Sequence, residues 1–195
     1  MPNPIRFKNI KARFALLYLL GALALIFLRP NALSFAAGGG LVLLGSVLRT
    51  WSAGHLVKND RLTVTGPYAY LRHPLYAGTL LVAAGFALIA GGPMSLLLFA
   101  ILIPWFFFMY FPRKEEIEST RLETLYGEDY ASYRDEVPAL LPSLRAWRPA
   151  NHTDVFDDLG RTWSRDRYVD NNELGTLIAL VVGLLLFAMR AQIGG

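Results

Sequence analysis

Apolar residues in this chain come in long blocks, without the period of a surface helix or the alternation of a half-buried strand. Positions 14–28, 32–48, 74–90, 94–111 and 174–189 are almost wholly apolar, and charge or a Gly/Pro break bounds each block. Blocks of this kind read as membrane spans, so an all-α bundle of about five transmembrane helices is expected. At about 1.5 Å per residue the shorter blocks reach roughly 24 Å, against a hydrocarbon core of about 30 Å. The helices are therefore expected to run on into flanking polar residues, unless the bilayer thins.

The breaks define the order of the spans. Arg29-Pro30-Asn31 separates the first two blocks, Gly91-Gly92-Pro93 folds the third onto the fourth as a helical hairpin, and Pro112-Arg113-Lys114 closes the fourth. Gly38-Gly39-Gly40, inside the second block, would let a neighbouring helix approach closely. Arg6, Lys8, Lys11 and Arg13 precede the first block in the manner of a signal peptide. That block is long, lacks a small-residue cleavage site and is followed at once by a second, so it reads as a retained span.

Two polar blocks remain. Positions 49–72 form a polar connection, and 112–173 hold nearly every acidic residue. In the second, 115–133 reads as an amphipathic helix, with Ile117, Leu122, Leu125 and Tyr126 on one side and Glu115, Glu118 and Glu123 near another. Val137-Pro138-Ala139-Leu140-Leu141-Pro142 ends it in an extended strap. Positions 151–172, rich in both Asp and Arg, look like a solvated surface element. The organisation expected is an N-terminal transmembrane hairpin (1–48), a core (49–148) and a C-terminal extension carrying a fifth span (149–195).

Composition supports the membrane class and removes others. Of 195 residues 54% are hydrophobic and 17% charged, and the mean hydropathy is +0.36, too apolar for an ordinary soluble domain. The absence of cysteine excludes disulfides, thiolate metal sites and cysteine nucleophiles. His55, His73 and His152 show no metal-ligand spacing, so no metal is expected. The net charge of +4 fits a positive-inside distribution better than nucleic-acid binding. With the N-terminus in the cytoplasm, all of the nineteen lysines and arginines except Arg29 and Arg190 fall on the cytoplasmic side. Asn151-His152-Thr153, a glycosylation sequon by pattern, has no function on that side.

The candidate chemistry lies at 66–78, Gly-Pro-Tyr-Ala-Tyr-Leu-Arg-His-Pro-Leu-Tyr-Ala-Gly, a polar and aromatic knot that runs straight into the third apolar block. Gly66-Pro67 is a turn signal, and Pro74 suits the first turn of a helix, which puts His73 at or beside the N-cap. The first N–H groups of such a helix favour an anion, and Arg72 and His73 add donors. Tyr68, Tyr70 and Tyr76 offer π-faces to a cation or an adenine ring.

This knot, the hairpin after it, and the acidic helix ending in Leu125-Tyr126-Gly127-Glu128-Asp129-Tyr130 with the Val-Pro strap resemble the isoprenylcysteine carboxyl methyltransferases. Phospholipid N-methyltransferases are similar. The resemblance covers about 51–142 and implies an integral membrane enzyme that binds S-adenosylmethionine at its cytoplasmic face. It also implies a lipophilic acceptor taken from the bilayer, either a prenylcysteine-like carboxylate or a lipid amine. By position, Gly66, Tyr68, His73, Pro74 and Tyr76 match the family's cofactor loop, Arg72 its reactive end, and Lys58 an upstream basic residue. The family's acidic pair falls on Glu118 and Ser119, so the second acid is replaced. Glu115 stands a turn earlier, and the resemblance makes Glu118 and Glu115 catalytic candidates beside Arg72. An NADPH-dependent sterol-type reductase and a non-enzymatic membrane scaffold are the rival readings. The extension beyond the strap departs from compact family members and could brace the site, cover the cofactor or mediate dimerisation.

Overall fold

The computed structural model describes residues 27–57, 61–149 and 162–193, and every regular element among them is helical. Helix α1 spans Ala32–His55, a 3-10 turn Gly66–Ala69, α2 Pro74–Ile89, α3 Gly92–Pro104, a π-helical turn Trp105–Tyr110, α4 Phe111–Glu136, α5 Arg165–Asp170 and α6 Glu173–Ile193. Three stretches, Ala32–His55, Gly92–Glu136 and Glu173–Gln192, are long and apolar enough to cross a membrane, and α2 is a shorter apolar helix. The expected first span, at 14–28, lies almost wholly outside the described residues.

Asn31 starts α1 with a reciprocal cap: its side chain accepts from the Ser34 N–H at 2.9 Å, and the Ser34 hydroxyl accepts from the Asn31 N–H at 3.0 Å. The helix then continues past the expected end at 48 as far as His55, so the first residues of the presumed polar connection are helical. At 24 residues it is roughly 36 Å long, enough for a bilayer core.

The α1–α2 seam is built on four glycines. A Cβ on Gly38 would lie 2.5 Å from the Gly85 carbonyl oxygen, and one on Gly45 would lie 2.6 Å from that of Gly78. The reciprocal distances are 2.6 Å for Gly85 and 2.9 Å for Gly78. Backbone therefore meets backbone at two points seven residues apart on each antiparallel helix, with Val42 buried between them. Of the Gly38–Gly40 triplet only Gly38 serves the seam. Gly39 and Gly40 meet nothing within 4 Å among the described residues.

The expected stop at Pro112 is not a stop. Pro112 has no N–H to return and its ring crowds the preceding turn. The chain accommodates this with the π turn just before it, where the Phe111 N–H reaches back to the Phe106 carbonyl. Helix runs on through 92–136, and the real interruption is Gly127, at φ 53 and ψ −125, a conformation open mainly to glycine. The bend turns Tyr130 and Tyr133 inward, where they join Leu62, Val64 and Val137 in a small buried core at one end of the bundle. The hydroxyls of Ser119 and Tyr130, 2.8 Å apart, tie the helix across the bend.

The stretch expected to be a solvated surface element has no buried residue in its described part, 162–172, and is nonetheless anchored. It docks against the end of α1 through Trp163, Arg167 and Asn171, because helix-end carbonyls there need donors. Positions 151–161 lie outside the described residues.

Candidate active site

The knot is held by the strap. Arg72 and His73 donate their backbone N–H groups to the Pro138 and Ala139 carbonyls at 2.8 and 3.0 Å. Ser143 and Trp147 return donors to the Tyr70 and Ala69 carbonyls at 2.8 Å each. The Tyr133 hydroxyl adds a bond of 2.7 Å to the Tyr68 carbonyl. A loop of unusual sequence is thereby fixed almost entirely through its own main chain.

A cavity of about 390 Å³ opens between this knot, the end of α1 and the charged half of α4. That volume suits a ligand of cofactor size. Tyr68, Arg72, His73, Pro74, Tyr76 and Glu118 line it, joined by Leu56, Val57, Leu122, Leu125 and Tyr126 as its apolar walls. Arg61, Arg121 and Thr63 also line it, and the sequence reading assigns none of them to the site.

Three buried polar atoms on residues lining the cavity have no hydrogen-bond partner within the protein: Tyr68 Oη, Arg72 Nη1 and His73 Nε2. Such atoms are costly unless something else meets them. Burial, reinforced by Tyr133 and by the Glu118 and Glu173 carboxylates, pushes the Tyr68 hydroxyl well above the usual tyrosine range, so it stays a neutral donor. A ligand carrying a carboxylate for Arg72 and Tyr68 and a hydrogen-bond donor for His73 Nε2 fits this set, as S-adenosylmethionine does.

The other side chains are committed to one another. Arg72 donates from Nε to the Val137 carbonyl at 2.9 Å, and its Nη2 lies 2.9 Å from Glu115 Oε1. Glu118 accepts a bond from the Tyr76 hydroxyl and lies 3.4 Å from His73 Nδ1. With a carboxylate facing Nδ1, the proton is assigned to that nitrogen. Burial alone would raise the Glu118 carboxyl, but the hydrogen bonds from His73 and Tyr76 and the nearby Lys114 outweigh it and hold the group below its ordinary range. The Tyr76 ring stacks on His73 at 5.5 Å, and Phe111 meets His73 edge-on at the same separation.

The remaining sequence candidates are placed as follows. Glu115 pairs with Arg72, lies 4.0 Å from His73 Nε2 and does not line the cavity. Gly66, at φ 60, sits against the His55 ring, which a Cβ would approach to 2.6 Å, so it shapes the turn without facing the cavity. Tyr70 is outside the lining, and Ser119 is engaged with Tyr130. Lys58 lies outside the described residues. At the start of α2, Pro74 lacks an N–H and both Tyr76 and Ala77 donate to the His73 carbonyl, at 3.1 and 3.0 Å. The helix N-terminus therefore has less to offer an anion than its sequence promised, and the side chains of Arg72 and Tyr68 have more. No group of three or more metal-ligating side chains occurs among the described residues.

Comparison with known proteins matches residues 33–129 to the phospholipid methyltransferase family. The matched stretch, 97 of the 195 residues, is similar to this family of methyltransferases. It is 35% identical over 117 residues to the protein-S-isoprenylcysteine O-methyltransferase of Schizosaccharomyces pombe, covering 54% of this chain and 48% of that one. The human protein-S-isoprenylcysteine O-methyltransferase is 31% identical over 117 residues, covering 54% and 40% respectively. The cobalt-zinc-cadmium resistance protein CzcN of Cupriavidus metallidurans is 35% identical over 109 residues, covering 55% and 48%. The chain thus spans about half the length of the curated relatives it matches. No solved structure matches it.

Proposed function

We propose that this protein is an integral membrane methyltransferase that transfers the methyl group of S-adenosylmethionine to a lipophilic carboxylate entering from the bilayer. The carrying observation is the cavity whose lining residues present three buried, unpartnered polar atoms beside an aromatic and apolar wall. Relatives named O-methyltransferases support the reaction class. Neither the reductase nor the scaffold reading finds support in these relatives. The asymmetry of lysine and arginine argues for a cytoplasmic site.

Bound there, the cofactor supplies an electrophilic methyl carbon on a sulfonium. Arg72 Nη1 and the Tyr68 hydroxyl would take its polar end, and Leu122, Leu125 and Tyr126 would enclose its adenine. Glu115 holds Arg72 in place, while Glu118 fixes His73 and Tyr76. The protein's main task is to keep acceptor and methyl carbon in line and water out. A carboxylate acceptor, already ionised at neutral pH, would ask no base of the protein. No proton needs to move.

A carboxylate acceptor is favoured over an amine on two grounds. Arg61, Arg72 and Arg121 outnumber Glu118 in the lining, and a carboxylate held below its ordinary range is a poor base for an ammonium. Calorimetry on the detergent-purified protein should show binding of S-adenosylhomocysteine and none of NADPH. Radiolabelled methyl transfer should proceed with a prenylated cysteine analogue and not with a lipid amine. Binding of neither nucleotide would defeat the proposal.

A further inference from the structure

The cavity is braced from outside by a part of the chain that lies beyond the family match at 33–129. Glu173, the first residue of α6, is buried and meets Arg49 of α1 through two bonds, Nη2 to Oε1 at 2.5 Å and Nε to Oε2 at 3.1 Å. The remaining guanidinium nitrogen, Nη1, donates to the Leu75 carbonyl at 3.2 Å and to the Thr79 hydroxyl at 2.5 Å. Leu75 lies between Pro74 and Tyr76, and all three line the cavity. One planar cation therefore joins the start of α6 to the turn that presents His73.

A second set of bonds runs from the same segment to the other wall. Trp163 Nε1 donates to the Thr50 carbonyl at 2.9 Å, and Ser164 N–H and Arg167 Nε to that of Gly54 at 2.9 and 2.8 Å. Asn171 Nδ2 donates to Ala53 and Leu56 at 2.8 and 3.1 Å. The Ala53 and Gly54 carbonyls belong to a last helical turn, have no partners within the helix and need donors of this kind. Leu56 and Val57, directly beyond, line the cavity, and the His55 ring supports Gly66 at the head of the knot.

We infer that Arg49 and Glu173 are positioning residues, through which the segment from 163 to 173 sets the spacing of the two cavity walls and thereby the affinity for the methyl donor. Neither residue lines the cavity, so their action passes through α2 and the end of α1. Without the Glu173 charge, the Arg49 guanidinium keeps its bonds to α2 but loses the carboxylate that fixes its plane. The first turn of α2 is then free to shift against α1. The inference rests on the cofactor reading above.

The test uses the full chain in detergent, with Glu173→Gln, Glu173→Asp and Thr79→Val as variants. S-adenosylhomocysteine affinity is measured by calorimetry, methyl-transfer kinetics by radiolabel, and amide exchange over 66–77 without ligand. Glu173→Gln should weaken affinity about tenfold, on the scale of one charge-assisted hydrogen bond, and raise KM for the donor with kcat little changed. Glu173→Asp should recover part of that loss. Thr79→Val, which removes one of the two bonds from Arg49 to α2 and keeps that to the Leu75 carbonyl, should weaken affinity about threefold. Exchange over 66–77 should quicken in both Glu173→Gln and Thr79→Val. A folded Glu173→Gln with unchanged affinity and unchanged exchange overturns the inference. If that variant does not fold, wild-type behaviour of Thr79→Val overturns it. Wild-type protein that fails to bind S-adenosylhomocysteine, while exchange still quickens in the variants, removes the donor reading and leaves the brace standing.

Discussion

The seam between α1 and α2 and the junction between knot and strap hold the molecule together by opposite means. In the seam, Gly38, Gly45, Gly78 and Gly85 remove side chains so that two backbones can touch, and Arg49 adds bonds to Leu75 and Thr79 at one end of it. In the junction, Arg72 and His73 keep large polar side chains, and contact is made by main-chain bonds to Pro138 and Ala139. The seam depends on what is missing at four positions. The junction depends mainly on backbone geometry that almost any residue could supply, with one side-chain bond from Arg72 Nε to Val137, and Tyr68 Oη, Arg72 Nη1 and His73 Nε2 are left for a ligand.

Breaking the seam should have the largest effect. In Gly45→Leu the new Cβ would sit 2.6 Å from the Gly78 carbonyl oxygen and 2.9 Å from Val82 Cγ2, and backbone cannot retreat as a side chain can. A loss of about 3 kcal/mol or more is expected, the upper range for overpacking, read as a lower unfolding midpoint in detergent. Wild-type stability would show that the helices part easily.

These two regions also show what could be read from the sequence. The apolar blocks gave the helices because hydrophobic length is a local property, and the knot stood out because Arg-His-Pro ahead of an apolar run is unusual composition. The seam was only half legible: Gly38 was noticed in a run of three, yet Gly45, Gly78 and Gly85 are single glycines whose pairing appears only when α1 and α2 are laid antiparallel. Helix through Pro112 was hidden because the π turn that rescues it is a backbone adjustment without a residue signature. Docking of Trp163, Arg167 and Asn171 was hidden because their partners are carbonyls, which every residue possesses.

The next effect sharpens the contrast from the side of the junction. Arg72 uses Nε for Val137 and Nη2 for Glu115, leaving Nη1 toward a ligand, a division of labour that an ammonium on a flexible stem cannot reproduce. Arg72→Lys should cost about 2–3 kcal/mol in kcat/KM, roughly 30- to 160-fold, while the unfolding midpoint moves little. An equal fall in stability and activity would place Arg72 among the structural residues. Tyr133→Phe is smaller: it deletes one bond of 2.7 Å to the Tyr68 carbonyl and leaves the ring packed on Trp147. A loss of about 1 kcal/mol in stability is expected from chemical unfolding.

Glu118→Gln should be the mildest change at neutral pH, and its pH dependence carries the information. The Glu118 carboxyl is held below its ordinary value of 4.5 in the folded protein, so its ionised form stabilises the fold. That contribution is complete above the ordinary value and disappears as pH falls through the lowered one. Wild-type protein should therefore lose stability on acidification below about pH 4.5 more steeply than Glu118→Gln, whose amide does not titrate. Activity distinguishes the acceptors over a different range. With a carboxylate acceptor, Glu118 only fixes His73 and Tyr76, so the ratio of mutant to wild-type rate should stay constant between about pH 6 and 9. With an ammonium acceptor the missing carboxylate would be a base, and raising the pH would restore the mutant as the substrate sheds its own proton. A ratio that climbs with pH would overturn the carboxylate assignment, while leaving the cavity and its three unpartnered atoms as the site of the methyl donor.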